Sequence, residues 1–396
     1  MLSWLNENKV VLAICLSLFF IQFSISFGQG FFAIALVLWF FQKKKQSVKD
    51  KRPQNSALWI ALAAWALYRL SHVFLNEDIL NDLFKARELW MLLMLPLVVF
   101  NIKNERQLLL LSITIIIASV VPSLSAAVNF SSVNFDFSNI YERKPSFQSL
   151  HHLTFAGNNS LLLVASFVLL GQFIIEKRRG LAAFTVLSIL INIAGLISSR
   201  SLGVLLALSI LIALFFLVRF RSRAIAVFIP ALILLFQLTP ERFFSSDWLQ
   251  KAPQTVNVEK YCGSFEERLT IWWTGLRMIK DKPFFGTGES DYLTEYHRFK
   301  HPKSCGVAFD GTHMHNDILD VSVNFGLVGL FLWLLLILKP IFDFFSLLKV
   351  SSYLDYLRFL LPACLLLIGL SQCHFTDDEV QMTYWALLGL SYAKKT

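Results

Sequence analysis

The sequence predicts an all-α polytopic membrane protein, with about twelve transmembrane helices and one long outward loop domain containing short helices. Three observations carry that expectation. The 396 residues are 56% hydrophobic and 16% charged, where a soluble chain carries about 25% charged residues. Apolar runs of span length recur from end to end. The basic residues sit in alternate connections, so the formal charge of +9 reads as a set of topology determinants and not as a nucleic-acid signal.

The expected spans are 10–27, 29–42, 57–75, 88–101, 107–125, 157–175, 181–199, 202–218, 224–239, 320–338, 355–372 and 381–393. Lys9 precedes the first, and no small-x-small cleavage site follows it, so it reads as a span and not as a signal peptide. Each even-numbered exit is basic: Lys43-Lys44-Lys45, Lys103 with Arg106, Lys177-Arg178-Arg179, Arg219 with Arg221 and Arg223, Lys339 with Lys349, and Lys394-Lys395. Both termini therefore face the cytoplasm. The chain divides into helices one to nine over 1–239, a loop domain over 240–319 carrying the active-site residues, and helices ten to twelve over 320–396. No repeat of fixed period is present.

Chemically interesting residues collect on the outward face. Arg200 stands in the tight turn Ser198-Ser199-Arg200-Ser201 between two apolar runs. A charge at that depth marks function by default, against the plainer reading of an arginine that snorkels to the interface. Arg268 lies in Glu266-Glu267-Arg268 ahead of Trp272-Trp273. Its spacing to Trp272, Leu276, Arg277 and Lys280 fits a helix along the membrane surface. Alone it pairs as well with a neighbouring glutamate; together with Arg200 it could grip a diphosphate in bidentate fashion. Arg69, Lys85, Arg87 and Arg143 are further cations on this face, Arg143 in the outward loop 126–155 with Lys144, His151 and His152. That loop closes over the site or is simply solvated; both readings stand.

His313 and His315 bracket Met314. They read as metal ligands, as structural histidines or as a general base. For His315 the last has a physical argument: Asn316-Asp317 suit a helix N-cap, and the positive helix end favours the neutral imidazole that accepts a proton. The run Asp281-Lys282-Pro283-Phe284-Phe285-Gly286-Thr287-Gly288 reads as a turn folding the outer segment back over the membrane face; as a phosphate loop it lacks the glycine pattern. The five cysteines make no metal spacing. Cys262 and Cys305 both fall in the outer interval, which leaves a disulfide there open. No Ser-His-Asp order, nucleotide motif or carboxylate cluster for metal-dependent transfer is found.

Taken together, Arg268-x-x-x-Trp272, the 281–288 run, His313-x-His315-Asn316-Asp317-x-Leu319 and Phe325-Gly326-Leu327-Val328-Gly329-Leu330 resemble the O-antigen ligase / O-antigen polymerase superfamily. Arg200 takes the place of that family's intramembrane arginine. The resemblance implies a metal-independent inverting glycosyltransferase of lipopolysaccharide biosynthesis that needs no cofactor. Its donor would be a glycan on undecaprenyl diphosphate and its acceptor lipid A–core, at the periplasmic face of the bacterial inner membrane. Arg200 and Arg268 would hold the leaving diphosphate, and His315 would deprotonate the acceptor hydroxyl. His313 and Asn316 are secondary candidates. The compact chain and single dominant loop favour the ligase over the repeat-unit polymerase and the protein O-oligosaccharyltransferase. A secondary transporter with Arg200 as counter-charge would show repeated halves.

Overall fold

The computed structural model describes residues 2–43, 56–74, 79–131, 152–199, 201–220, 264–300, 313–347 and 352–393. All secondary structure among them is helical: α1 (Leu2–Phe20), α2 (Ile25–Lys43), α3 (Ser56–Val73), α4 (Ile79–Ala86), a 3-10 turn (Arg87–Leu93), α5 (Met94–Asn101), α6 (Glu105–Ser131), α7 (His152–Ile175), α8 (Arg179–Ser199) and α9 (Leu202–Phe220). Then follow α10 (Ser264–Asp281), α11 (Tyr292–Phe299), α12 (Asp317–Phe345), a 3-10 turn (Tyr353–Tyr356), α13 (Leu357–Gly369) and α14 (Asp378–Tyr392). Five of these are long and apolar enough to cross a membrane: Ile25–Gln42, Glu105–Val128, His152–Ile175, Arg179–Ser198 and Asp317–Phe345. Asn8–Phe20 and Leu202–Phe216 are shorter apolar helices.

Several expected boundaries move, each for a local reason. The first expected span, 10–27, runs through a turn at residues 21–24. Hydropathy cannot see it because Phe20, Ile21 and Phe23 are as apolar as their neighbours. Ser24 Oγ accepts from Phe27 N at 3.5 Å, and Ser17 Oγ donates to Gly28 O at 2.8 Å. A Cβ on Gly28 would lie 2.6 Å from Ile21 Cα, so the hairpin closes only on glycine. The fourth expected span, 88–101, is a 3-10 turn running into α5. Pro96 lacks an N–H and crowds the carbonyl four residues back, which tightens the preceding turn. Helices α6 and α7 extend to Ser131 and back to His152, so the expected loop 126–155 contracts to residues outside those described.

Polar residues join the apolar helices. Ser123 Oγ donates to Asn192 Oδ1 at 2.7 Å, and Asn192 Nδ2 to Ser119 Oγ at 2.9 Å, which ties α6 to α8 where water is absent. The main core is built around Trp65, Trp333 and Trp385, all at most 1% exposed, with Phe375 set edge-on to Trp65 and Trp333. It brings α3, α7, α12, α13 and α14 together and fixes the start of α12, where the site lies.

Candidate active site

Asn316 caps α12 as its sequence position suggests: its Oδ1 accepts from Leu319 N at 3.0 Å. Ten residues further the helix breaks at Gly326, φ 65° and ψ −171°. The 283–288 run fills that break. Thr287 N donates to Val323 O at 2.8 Å and Gly288 N to Asn324 O at 2.9 Å, while Leu327 N donates to Pro283 O at 2.8 Å and Val328 N to Phe284 O at 3.2 Å. In an unbroken helix Leu327 N and Val328 N would bond to Val323 O and Asn324 O. Two helical bonds are thus exchanged for four bonds to the loop, so no backbone group is stranded. The run is therefore a backbone clasp on α12 and more than a turn. Gly286, at φ 74°, lets the loop approach Asn324 O, 2.6 Å from where a Cβ would stand.

The clasp is braced by α3 and α4. Tyr68 Oη donates to Phe325 O at 2.7 Å. Arg69, 5% exposed, sits 2.7 Å from Glu289 Oε2 and 3.6 Å from Glu88 Oε2. Asp82 Oδ1 accepts from Ser290 N at 3.0 Å, and Lys85 Nζ donates to Glu289 O. The guanidinium of Arg69, a candidate for diphosphate contact on sequence, is here enclosed by two carboxylates and pins the loop. Glu289→Ala should lower stability by about 2–4 kcal/mol by leaving that buried cation underpaired. The thermal midpoint of the purified protein in detergent would read this, and Glu289→Gln, which keeps an acceptor, should restore part of it.

His315 occupies the left-handed region at φ 50°, a costly conformation for a residue with a Cβ. The chain around it is held at every amide. Met314 N donates to Asp320 Oδ1 at 2.9 Å, His315 N to His313 Nδ1 at 3.2 Å, and Asn316 N to Cys373 Sγ at 3.3 Å. Asp320 also takes bonds from Asn324 Nδ2 at 3.3 Å and from Cys373. Burial pushes the Cys373 thiol up, so it stays protonated. The His315 ring meets Gln372: Nδ1 lies 2.5 Å from Gln372 Oε1. An amide oxygen can only accept, so a bond here would require a proton on Nδ1.

Arg268 lies on α10, other residues of which pack against this region. Ile271 and Met278 of that helix pack with Tyr292 and Tyr296 of α11 and with Met314 and Val323 of α12. Gly275 permits the closest approach, since a Cβ there would stand 2.7 Å from Met314 Sδ. Arg268, half-buried, lies on the same stripe as Ile271, Trp272 and Gly275, at helical spacings of three, four and seven. The stripe that carries Arg268 thus includes Ile271 and Gly275, which pack on Met314. Opposite it, Arg277 lies over the Trp273 ring at 4.7 Å, with Leu276 exposed.

Arg200 and Arg143 lie outside the described residues, as do Cys262 and Cys305. Ser199 and Ser201, flanking Arg200, are buried. Gly203, at the start of α9, faces Ser371, whose Oγ would be 2.4 Å from a Cβ on that glycine. Ser371 adjoins Gln372, so the start of α9 and the His315 turn meet the same short segment.

Residues 187–334 match the family model described as O-antigen ligase. That segment is an O-antigen ligase family domain. No curated protein matches the chain. The matched segment spans the positions of Arg200, Arg268, the 283–288 clasp, His315 and the break at Gly326. The O-antigen ligase family comprises glycosyltransferase-like enzymes of membranes acting on lipid-linked polysaccharide, in keeping with the multi-pass helical fold found here.

Sequence reasoning passed over Gln372, Cys373 and Asp320. The signal was the polar run Ser371-Gln372-Cys373-His374 with Thr376-Asp377-Asp378, whose first two residues fall inside the expected span 355–372. It is short and polar, and it reads as a mere connection until its partners are seen.

Proposed function

We propose that the chain is an O-antigen ligase, which transfers a glycan from undecaprenyl diphosphate to a sugar of lipid A–core at the periplasmic face of the inner membrane. About twelve spans with both termini cytoplasmic place the site outward, in keeping with the alternation of basic connections. The observation that carries the reading is the His315 ring inside the family domain, in a strained turn at the N-terminus of α12, with Nδ1 facing an amide oxygen.

In the reaction, Nε2 of His315 takes the proton of the acceptor hydroxyl as its oxygen attacks the anomeric carbon. The bond from that carbon to the diphosphate oxygen breaks on the opposite face, and the configuration inverts. The electron pair leaves with the diphosphate, whose growing charge Arg200 and Arg268 neutralise. Arg69 and Glu289 act at one remove, by keeping the clasp in α12. The ligase is favoured over its relatives by one dominant outer loop.

The test is lipopolysaccharide gel analysis of a strain lacking this gene, complemented with wild type or Arg268→Ala. The expected result for the null and the variant is core without O-antigen, with long chains accumulating on the lipid carrier. Core carrying a single repeat unit would instead identify a polymerase, and an unchanged banding pattern would remove the chain from lipopolysaccharide assembly.

A further inference from the structure

We propose that Gln372 is the positioning residue for His315, fixing the tautomer in which Nε2 accepts a proton. This rests on His315 being the base of the proposed reaction. Gln372 is 7% exposed, and its Oε1 lies 2.5 Å from His315 Nδ1. A carbonyl oxygen can only accept, so the proton resides on Nδ1 and the lone pair on Nε2. A carboxylate in this place would draw the ring toward imidazolium. A neutral amide fixes the tautomer without supplying that charge.

What separates this from ordinary satisfaction of a buried amide is the division of labour around the turn. The amides of Met314, His315 and Asn316 are bonded by Asp320, His313 and Cys373. Asn316 is further tied by its Nδ2 to Leu370 O at 3.1 Å. The left-handed backbone is therefore held without Gln372, whose contact falls on the ring alone. Its neighbours on the segment have other duties: Ser371 packs on Gly203 at the start of α9, and Cys373 receives Asn316 N. Three consecutive residues thus set the start of α9, the imidazole and the α12 cap relative to one another.

The experiment has two readouts on the full-length protein. Nuclear magnetic resonance of ring-labelled histidine, with the protein in lipid nanodiscs, reports the tautomer of each ring. His315→Ala identifies the relevant signal among the 8 histidines. Transfer is measured with membranes that accumulate glycan on undecaprenyl diphosphate, with purified rough lipopolysaccharide as acceptor. Wild type should show His315 protonated on Nδ1. Gln372→Leu should move that signal toward the Nε2–H tautomer and lower turnover about 10²-fold, with KM for the acceptor unchanged. Gln372→Glu, which restores an acceptor, should return the Nδ1–H signal and regain part of the turnover. An unmoved tautomer in Gln372→Leu overturns the proposal, as does an equal loss in both variants. Wild-type transfer by His315→Ala would remove the base reading itself, and the resonance experiment tells that failure apart.

Discussion

Gly326→Ala should abolish the folded protein, with the purified variant failing to elute as a single species from size-exclusion chromatography in detergent. Two costs combine. At φ 65° and ψ −171° the backbone lies in territory that essentially only glycine occupies, worth about 1–3 kcal/mol. A Cβ would also stand 2.2 Å from Phe284 O and 2.5 Å from Phe285 N, both backbone atoms that no rotamer change can move. Relief would require the clasp to withdraw, exposing Val323 O, Asn324 O, Leu327 N and Val328 N about 14 Å along α12, by the rise of the helix. The total exceeds about 4 kcal/mol, a large fraction of the stability of a typical fold. Gly180→Ala is the matched control: nothing lies within 4 Å of its Cβ position, and alanine at this helical site should stabilise by up to about 1 kcal/mol.

His315→Ala should leave a folded protein whose turnover falls by about 10²–10⁴-fold, the usual contribution of a positioned base. The same transfer assay reads it, with the thermal midpoint as the check on folding. The midpoint should fall only slightly, by the equivalent of about 1 kcal/mol, because alanine loses the ring contact with Gln372 but leaves the backbone bonds of the turn in place. His313→Ala makes the contrast. Its Nδ1 accepts from His315 N at 3.2 Å, so its loss should cost about 1 kcal/mol of local stability and a much smaller share of turnover. A result in the opposite sense, with His313→Ala inactive and His315→Ala near normal, would exchange the two roles.

The all-helical fold, the cap at Asn316 and the helix bearing Arg268 were legible because each depends on neighbours within one or two turns. Hydropathy windows see composition, the cap needs only Asn316 and Leu319, and α10 shows its buried stripe at helical spacing. The turn at 21–24 was not legible, since Phe20 through Phe23 have the composition of the spans on either side and only the Gly28 contact closes the hairpin. Nor was the partner of the 283–288 run. Its glycines announce special backbone, but nothing within the run says that the surface it meets is α12. Gln372 lies 57 positions from His315 and Glu289 lies 220 from Arg69. Pairings at such separations are set by how helices pack, and a single chain of letters does not encode them in any local pattern. The enclosure of Arg69 follows the same rule: its charge was visible, its neutralising partners were not.

The exchange of hydrogen bonds at Gly326 makes the chain unequally tolerant of changes in length. The four bonds run in step, residues 287 and 288 with 323 and 324, and residues 283 and 284 with 327 and 328. One residue inserted into or deleted from either run would throw the two halves of the match out of step. Two short stretches are therefore locked in count as well as in composition. The stretch between the runs is constrained in its own way, by the Arg69 brace at Glu289, the bonds of the 313–316 turn and the cap of α12.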